Sequence, residues 1–318
     1  MPASGRRWYR GDCHVHSVHS DGELTPQRLL AEARAARLDF IAVTEHNAAA
    51  GLDAWRTADG GPLVIPGEEV TTSSGHWLAL GLAAGQVIDW RGTAHDGTIG
   101  ARLAEVHGVG GLCVAAHPHA PYPTGAFRYP LAGFDAVEVW NGPWASGRPW
   151  QADNEAALAT WERALATDVP RGHWRPAMGD SDAHLAGQIG TPHTVVLADA
   201  PTPGALLAGL GAGRSWIAAS AAVGLAVTVS AAGRTAGIGD RLTTGGAPAT
   251  ARVTVRGVPD GTIDFRTERG STHRTHIPGT APATAEWHTT AAESTFIRVE
   301  VRDSEGHMAA LSNPVVLR

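Results

Sequence analysis

Asp12-Cys13-His14-Val15-His16-Ser17-Val18-His19-Ser20-Asp21-Gly22 ends a short apolar run at 8–14 and leads into a turn. Residues i and i+2 of an extended chain share one side, so His14 and His16 can grip one ion together at a strand end. Asp21 returns after that turn. The same arrangement recurs downstream. Glu45-His46-Asn47 follows the run 39–44, Gly67-Glu68-Glu69 follows 63–66, and Gly75-His76 precedes 77–82. His117-Pro118-His119 closes 112–116, and Asp180-Ser181-Asp182-Ala183-His184 closes 176–179. In a β/α barrel the strand C-termini converge on one face, so ligands remote in sequence meet there. Imidazole and carboxylate together suit Zn²⁺, Mn²⁺ or Fe²⁺, and one carboxylate can bridge two ions.

Working outward, further apolar runs at 136–140 and 194–197 alternate with helical stretches at 26–37, 99–107, 151–166 and 203–210. Thr25 is the expected N-cap of the first helix, with Pro26 at its first position. This βα alternation predicts an α/β domain over 1–221. After 223 the pattern changes to strands without helices, at 225–230, 251–255, 262–267, 295–302 and 309–316. Alternation through Ile297-Arg298-Val299-Glu300-Val301-Arg302 predicts a half-exposed antiparallel strand. Residues 222–318 therefore read as a small all-β, sandwich-like module.

Composition narrows the chemistry. All 25 basic residues are arginine, so Schiff-base catalysis and a lysine phosphate clamp are excluded. The net charge is −6, and the acidic excess lies in front: 15 Arg against 22 acids over 1–221, but 10 against 9 over 222–318. No electrostatic footprint for nucleic acid follows from that balance. Cys13 and Cys113 are too few for a disulfide framework, which fits a reducing compartment. The N-terminal stretch before the histidine motif has no apolar core, so neither signal peptide nor membrane span is expected, and the expected location is cytoplasmic.

The ordered motifs H-V-H…S-D-G, T-E-H-N, P-G-E-E…G-H, A-H-P and D-A-H resemble the PHP (polymerase and histidinol phosphatase) superfamily, and within it the CehA/McbA-type metallohydrolases. The resemblance implies a distorted (β/α)7, TIM-like barrel holding two or three divalent metal ions. By motif, His14, His16, Glu69 and Asp182 would bind the first ion. Glu69 would bridge to a second held by His76 and His117, and Asp21, His46 and His184 would hold the third. Two departures stand out. Glu45 replaces the aspartate of many relatives, and His19 competes with Asp21 for one role. Val137-Glu138-Val139-Trp140-Asn141 also looks like the family, which puts Asn141, and Glu138 with it, near the pocket mouth.

Such a constellation generates a nucleophile, because a metal lowers the pKa of water to about 7. The expected function is a phosphoesterase acting on small organic phosphate mono- or diesters through a metal-bound hydroxide. Carbamate, carboxylic ester or amide hydrolysis at the same site is the alternative, and a non-catalytic metal scaffold the third reading. Without lysine, the cation for phosphate oxygens must be a metal or an arginine, and Arg128 and Arg148 are the arginine candidates. His19 or His184 is the expected proton donor to the leaving group. One of Trp140, Trp144 and Trp150 is a candidate for the pocket wall, His119 for a substrate contact, and Glu68 and Asp180 for supporting roles.

Overall fold

The computed structural model describes residues 5–49, 51–55, 61–279 and 281–318. The front part contains β1 (Arg7–Asp12), α1 (Pro26–Ala35), β2 (Phe40–Val43), β3 (Leu63–Thr72), β4 (Gly75–Leu80), α2 (Ile99–Gly108), β5 (Leu112–Ala115), β6 (Ala136–Asn141), α3 (Asn154–Asp168), β7 (Ala177–Asp180), β8 (His193–Ala198), α4 (Pro203–Gly211) and β9 (Ser215–Ala218). Helix α1 starts as its sequence dictates: Thr25 Oγ1 accepts from the Arg28 amide at 3.4 Å, and Leu29, Leu30 and Ala33 are buried. Helix α3 starts on Asp153, whose side chain accepts from the Ala156 amide at 2.9 Å.

The protein is a mixed α/β molecule built on a large curled sheet. Its front section runs β8-β1-β2-β3-β4-β5-β6-β7. The pairs β1·β2, β2·β3, β5·β6 and β6·β7 are parallel, whereas β4 is antiparallel to both neighbours and β8 is antiparallel to β1. The curl brings the end of β7 back to β1. Val15 and Ala183 form a parallel bridge, and the His16 amide donates to the Ala183 carbonyl at 3.0 Å. Phe40, Ile65, Leu78, Val114 and Met178 pack together as part of one core cluster. The architecture is strand-rich, with four α-helices among the described residues, so a helix does not follow every strand as the sequence pattern suggested. Strand β3 is also longer than its apolar run. It turns back directly into β4, so Glu68, Glu69 and His76 lie inside strands rather than beyond them.

The tail comprises β10 (Gly224–Ala231), β11 (Arg234–Ala236), β12 (Arg241–Leu242), β13 (Ala249–Arg256), β14 (Asp260–Thr267), β15 (Gly270–Pro278), β16 (Ala283–Thr289), β17 (Phe296–Asp303), β18 (Met308–Ser312) and β19 (Val315–Leu317). Strand β18 pairs with β9, which continues the curled sheet into the tail, and β11-β10-β13-β16 form a second sheet. Val229, Val253, Phe265, Val299 and Val301 belong to one core between them.

The expectation for β17 needs correction. Its alternation is real, but Arg298 and Glu300 are 1% and 3% exposed. Helix α3 covers them. Arg298 pairs with Glu162 of α3 and with Glu300, and its guanidinium lies 5.2 Å from the Trp161 ring. Arg266 reaches Glu162 at 2.7 Å and Glu300 at 3.0 Å. A polar stripe thus marks an ionic interface here rather than a solvent face. Run 309–316 also divides at Asn313-Pro314, and the Asn313 side chain bonds the backbone of Ala177 and Ser215. Among the described residues no helix is long and apolar enough to cross a membrane.

Candidate metal centre

The curl carries three groups of ligand-type side chains to one cavity. His14, His16, Glu69 and Asp182 form the deepest. Glu69 Oε2 lies 3.2 and 3.3 Å from the Nε2 atoms of His14 and His16, and Asp182 Oδ1 lies 3.3 and 3.1 Å from the same two nitrogens. His14 Nε2, His16 Nε2 and Asp182 Oδ1 are buried and make no hydrogen bond despite this closeness. Four donors about 2.0 Å from a common tetrahedral ion would stand about 3.3 Å apart, so the spacing fits a divalent cation. Buried polar atoms otherwise find partners, which strengthens that reading.

Glu69 faces two ways. Its Oε1 lies 2.8 Å from His76 Nδ1 and 3.0 Å from His117 Nε2. One carboxylate therefore belongs to both groups, the arrangement a bridging ligand requires. Burial alone would raise Glu69, but His14 and His46 and the hydrogen bonds of His117 and His14 outweigh it and hold the carboxyl well below its usual range. Asp182 behaves alike: burial opposes the charge, and His14 and His16 overcome it. The third group sits nearer solvent. Asp21 Oδ1 is 3.4 Å from His46 Nε2 and 3.2 Å from His184 Nε2, with His16 close by.

Local backbone explains the aim of these side chains. Asp182 and His117 adopt φ of 50° and 23°, a left-handed conformation that costs an L-residue roughly 1–3 kcal/mol and collects at functional sites. At Gly22 a Cβ would lie 2.5 Å from the His16 carbonyl oxygen, so only glycine lets the Ser-Asp-Gly turn fold under the histidines. Glu45 holds that turn from inside. It accepts from the Ser17 amide at 3.1 Å and from the hydroxyls of Ser17 and Ser20.

The supporting residues are mostly acids. Glu138 is fully buried rather than at the mouth. It takes His14 Nδ1 at 3.0 Å and the His117 amide at 2.7 Å, which fixes the ring that presents Nε2 to the cage. Asn141 lines the cavity and donates to Glu138 at 3.1 Å and to Asp182 at 3.3 Å. Asp12 accepts from the amides of Ser181 and Gly190, and Asp180 from that of Cys13. These bonds tie β1 to the loop after β7. Cys13 lies behind the cage, its thiol pushed well up by burial and by Asp180 and Asp12. Glu68 points away from the cavity, accepting from the Ile88 amide at 2.7 Å, and burial pushes it up to about 7.

Other candidates fall elsewhere. His19 is exposed and does not line the cavity, whereas Asp21 does. Arg128 is exposed, and its Nη2 donates to the Pro123 carbonyl at 3.2 Å. Arg148 and Trp150 line the cavity, while Trp140 and Trp144 are buried. His119 bonds Thr160 at 3.0 Å beside a separate cavity of about 250 Å³. His107 pairs with Asp135 at 2.8 Å, remote from the three groups. Tyr122 was not foreseen. Its ring lies 6.0 Å from that of His76, and no sequence signal distinguishes it from a core aromatic.

His46 and His184 carry a consequence for metal uptake. Burial opposes their charge, yet Glu69 and Asp21 raise His46 to about 10, and Asp21 and Asp182 raise His184 to about 9. Without metal both are protonated at neutral pH. That charge stabilises the metal-free fold below pH 6.5, and the contribution is lost as pH rises through 9 to 10. A metal must displace those protons, so its affinity has the opposite slope, rising with pH and levelling off only above about 9 to 10. Calorimetric Zn²⁺ titration in buffers of differing ionisation heat should show proton release; uptake without it, flat in pH, would contradict this assignment.

Residues 166–215 match a family model described as PHP-associated. Across the chain, the fold is shared with a two-domain protein from Bacteroides vulgatus containing a predicted PHP-like metal-dependent phosphoesterase. The TM-score is 0.53 at 16% identity, over 98% of this chain and 96% of that one. An amidohydrolase from Chromobacterium violaceum, with bound sulfate and no metal, matches over 57% of this chain and 89% of its own, with TM-score 0.38 and 20% identity. A lesion-specific endonuclease from Pyrococcus furiosus matches over 66% and 57%, with TM-score 0.39 and 14% identity. No curated protein matches the sequence. The first likeness is one of fold, and it extends over nearly the whole length of both chains.

Proposed function

We propose that the chain is a metal-dependent hydrolase of the PHP superfamily, CehA/McbA-type, and a phosphoesterase on small organic phosphate mono- or diesters. In this reading 1–221 is a distorted (β/α)7 barrel and 222–318 a β-rich, sandwich-like module. The observation that carries it is Glu69, whose two oxygens each face a different set of imidazoles. His14, His16, Glu69 and Asp182 would hold one ion, Glu69, His76 and His117 a second, and Asp21, His46 and His184 a third. Two or three bound Zn, Mn or Fe ions would supply Lewis acidity toward a phosphoryl oxygen and a lowered pKa for water.

The chain's own residues do the rest. Glu138 keeps the His14 ring in one orientation. Asn141 donates to both Glu138 and Asp182 and so ties the two carboxylates together. Burial and the nearby Glu69 and Asp182 carboxylates raise the Tyr122 phenol, so it stays protonated. We assign to Tyr122, in place of the exposed His19, the proton facing a substrate oxygen. Arg128 lies outside the cavity, its guanidinium on the Pro123 carbonyl, so the phosphoryl oxygens would fall to the metal ions. The cavity, about 510 Å³, suits a small organic ester.

A panel of phosphate mono- and diesters, aryl carbamates and carboxylic esters tests the reading on metal-loaded protein. Phosphate ester turnover that chelation abolishes and Zn²⁺, Mn²⁺ or Fe²⁺ restores is the expected result. Cleavage of carbamates alone would replace it with the alternative chemistry, and inertness of fully loaded protein toward every ester would leave the scaffold reading.

A further inference from the structure

The loop between β6 and α3 brings Arg148 and Trp150 to the rim of the same cavity. Both are exposed, unlike the ligand groups on the floor, where His14, His16 and Glu69 are at most 1% exposed. Trp150, at 60%, is the most exposed large apolar side chain among the described residues. Among the same residues no carboxylate pairs with the Arg148 guanidinium, although Asp21, Glu69 and Asp182 line the cavity. An aromatic face and an unpaired cation thus stand two residues apart, above a floor already equipped for the scissile bond.

This loop is held in place. Asn154 is 2% exposed; its Oδ1 accepts from the Asn141 amide at 2.9 Å, and its Nδ2 donates to the carbonyls of Asn141, Pro143 and Trp144. Trp144 Nε1 donates to Glu155 at 2.9 Å. From β17, Arg302 grips both Glu155 oxygens at 2.6 and 3.1 Å, with its guanidinium 5.3 Å from the Trp144 ring. The β-rich tail therefore clamps the base of the loop that carries Arg148 and Trp150.

We propose that this rim is a specificity subsite for esters whose leaving group is an aromatic ring bearing a negative charge. Trp150 stacks on the ring, Arg148 pairs with its anionic substituent, and Arg302 is a positioning residue that presents both. The inference rests on the hydrolase reading for its substrate class, but the subsite is measurable without turnover. Stacking supports effects of roughly tenfold, and a guanidinium adds geometric selectivity for a carboxylate.

Two measurements on metal-loaded protein test it. In kinetics, Trp150→Ala should lower the ratio of kcat/KM for phenyl phosphate over methyl phosphate roughly tenfold. Arg148→Gln should lower the ratio for 4-carboxyphenyl over phenyl phosphate, through KM. Arg302→Ala should reproduce the Trp150 effect at unchanged metal content, with partial recovery in Arg302→Lys. In calorimetry, phenylphosphonate should bind more tightly than methylphosphonate, and Trp150→Ala should remove the difference. If no ester is cleaved but that preference exists and Trp150 carries it, the reaction reading fails and the subsite stands. A wild type without preference for the aromatic ligand, or a Trp150→Ala protein that keeps it, overturns the subsite.

Discussion

Glu69→Gln is expected to reduce phosphate ester hydrolysis by at least roughly 10³-fold, because residues that act as a unit fail together. The substitution keeps side-chain volume and removes the charge. Its Oε1 faces His76 and His117, and its Oε2 lies 3.0–3.3 Å from His46, His14 and His16. A neutral amide presents one oxygen instead of two, so it cannot serve both sets. Metal content should therefore fall along with activity, measured by elemental analysis after equilibration with Zn²⁺ and gel filtration. Circular dichroism should stay that of a folded protein. A variant with full metal content and wild-type turnover would remove the bridging role from Glu69, and the proposed centre with it.

Arg298→Met is expected to destabilise the protein by about 3 kcal/mol, the low end of what breaking a buried ion pair costs. The cost arises because Glu300, 3% exposed, loses a partner at 2.8 Å. It stays at the low end because Arg266 and Arg302 remain 3.0 and 3.5 Å from Glu300, and because Glu162 is partly exposed. Replacing both partners, as Arg298→Met with Glu300→Leu, should recover part of the loss. Denaturant unfolding of the three proteins checks this. Equal midpoints for wild type and Arg298→Met would mean that helix α3 is not held to β17 by this cluster.

Glu69 and Arg298 differ in how far the sequence alone discloses their roles. Glu69 was singled out through the resemblance carried by the P-G-E-E motif, since a Glu-Glu pair beside an apolar run does not by itself say which carboxylate faces the site. Arg298 was not, because an alternating strand looks the same whether its polar face meets water or a helix bearing Glu162. Trp161 and Glu162 arrive at β17 only through the docking of α3, more than 130 residues earlier in the chain. Glu138 illustrates the same limit within the site. Its place in a buried strand was visible, but its bond to His14, 124 residues away, was not. Tyr122 and Arg148 lie in loops whose course no periodicity constrains.

From the residues alone came the donor types, the shared side of His14 and His16, the start of α1 at Thr25, the exclusion of lysine chemistry and the change from βα units to strands near 223. Those properties are set by near neighbours: side-chain chemistry, the two-residue repeat of an extended chain and capping. The tertiary fold decided which donors meet, that Asp21 rather than His19 faces His46 and His184, that Glu69 is shared, and that the tail grips the loop above the cavity. Each depends on how far the sheet curls and where α3 docks, and such long-range closure is a property of the whole packed core.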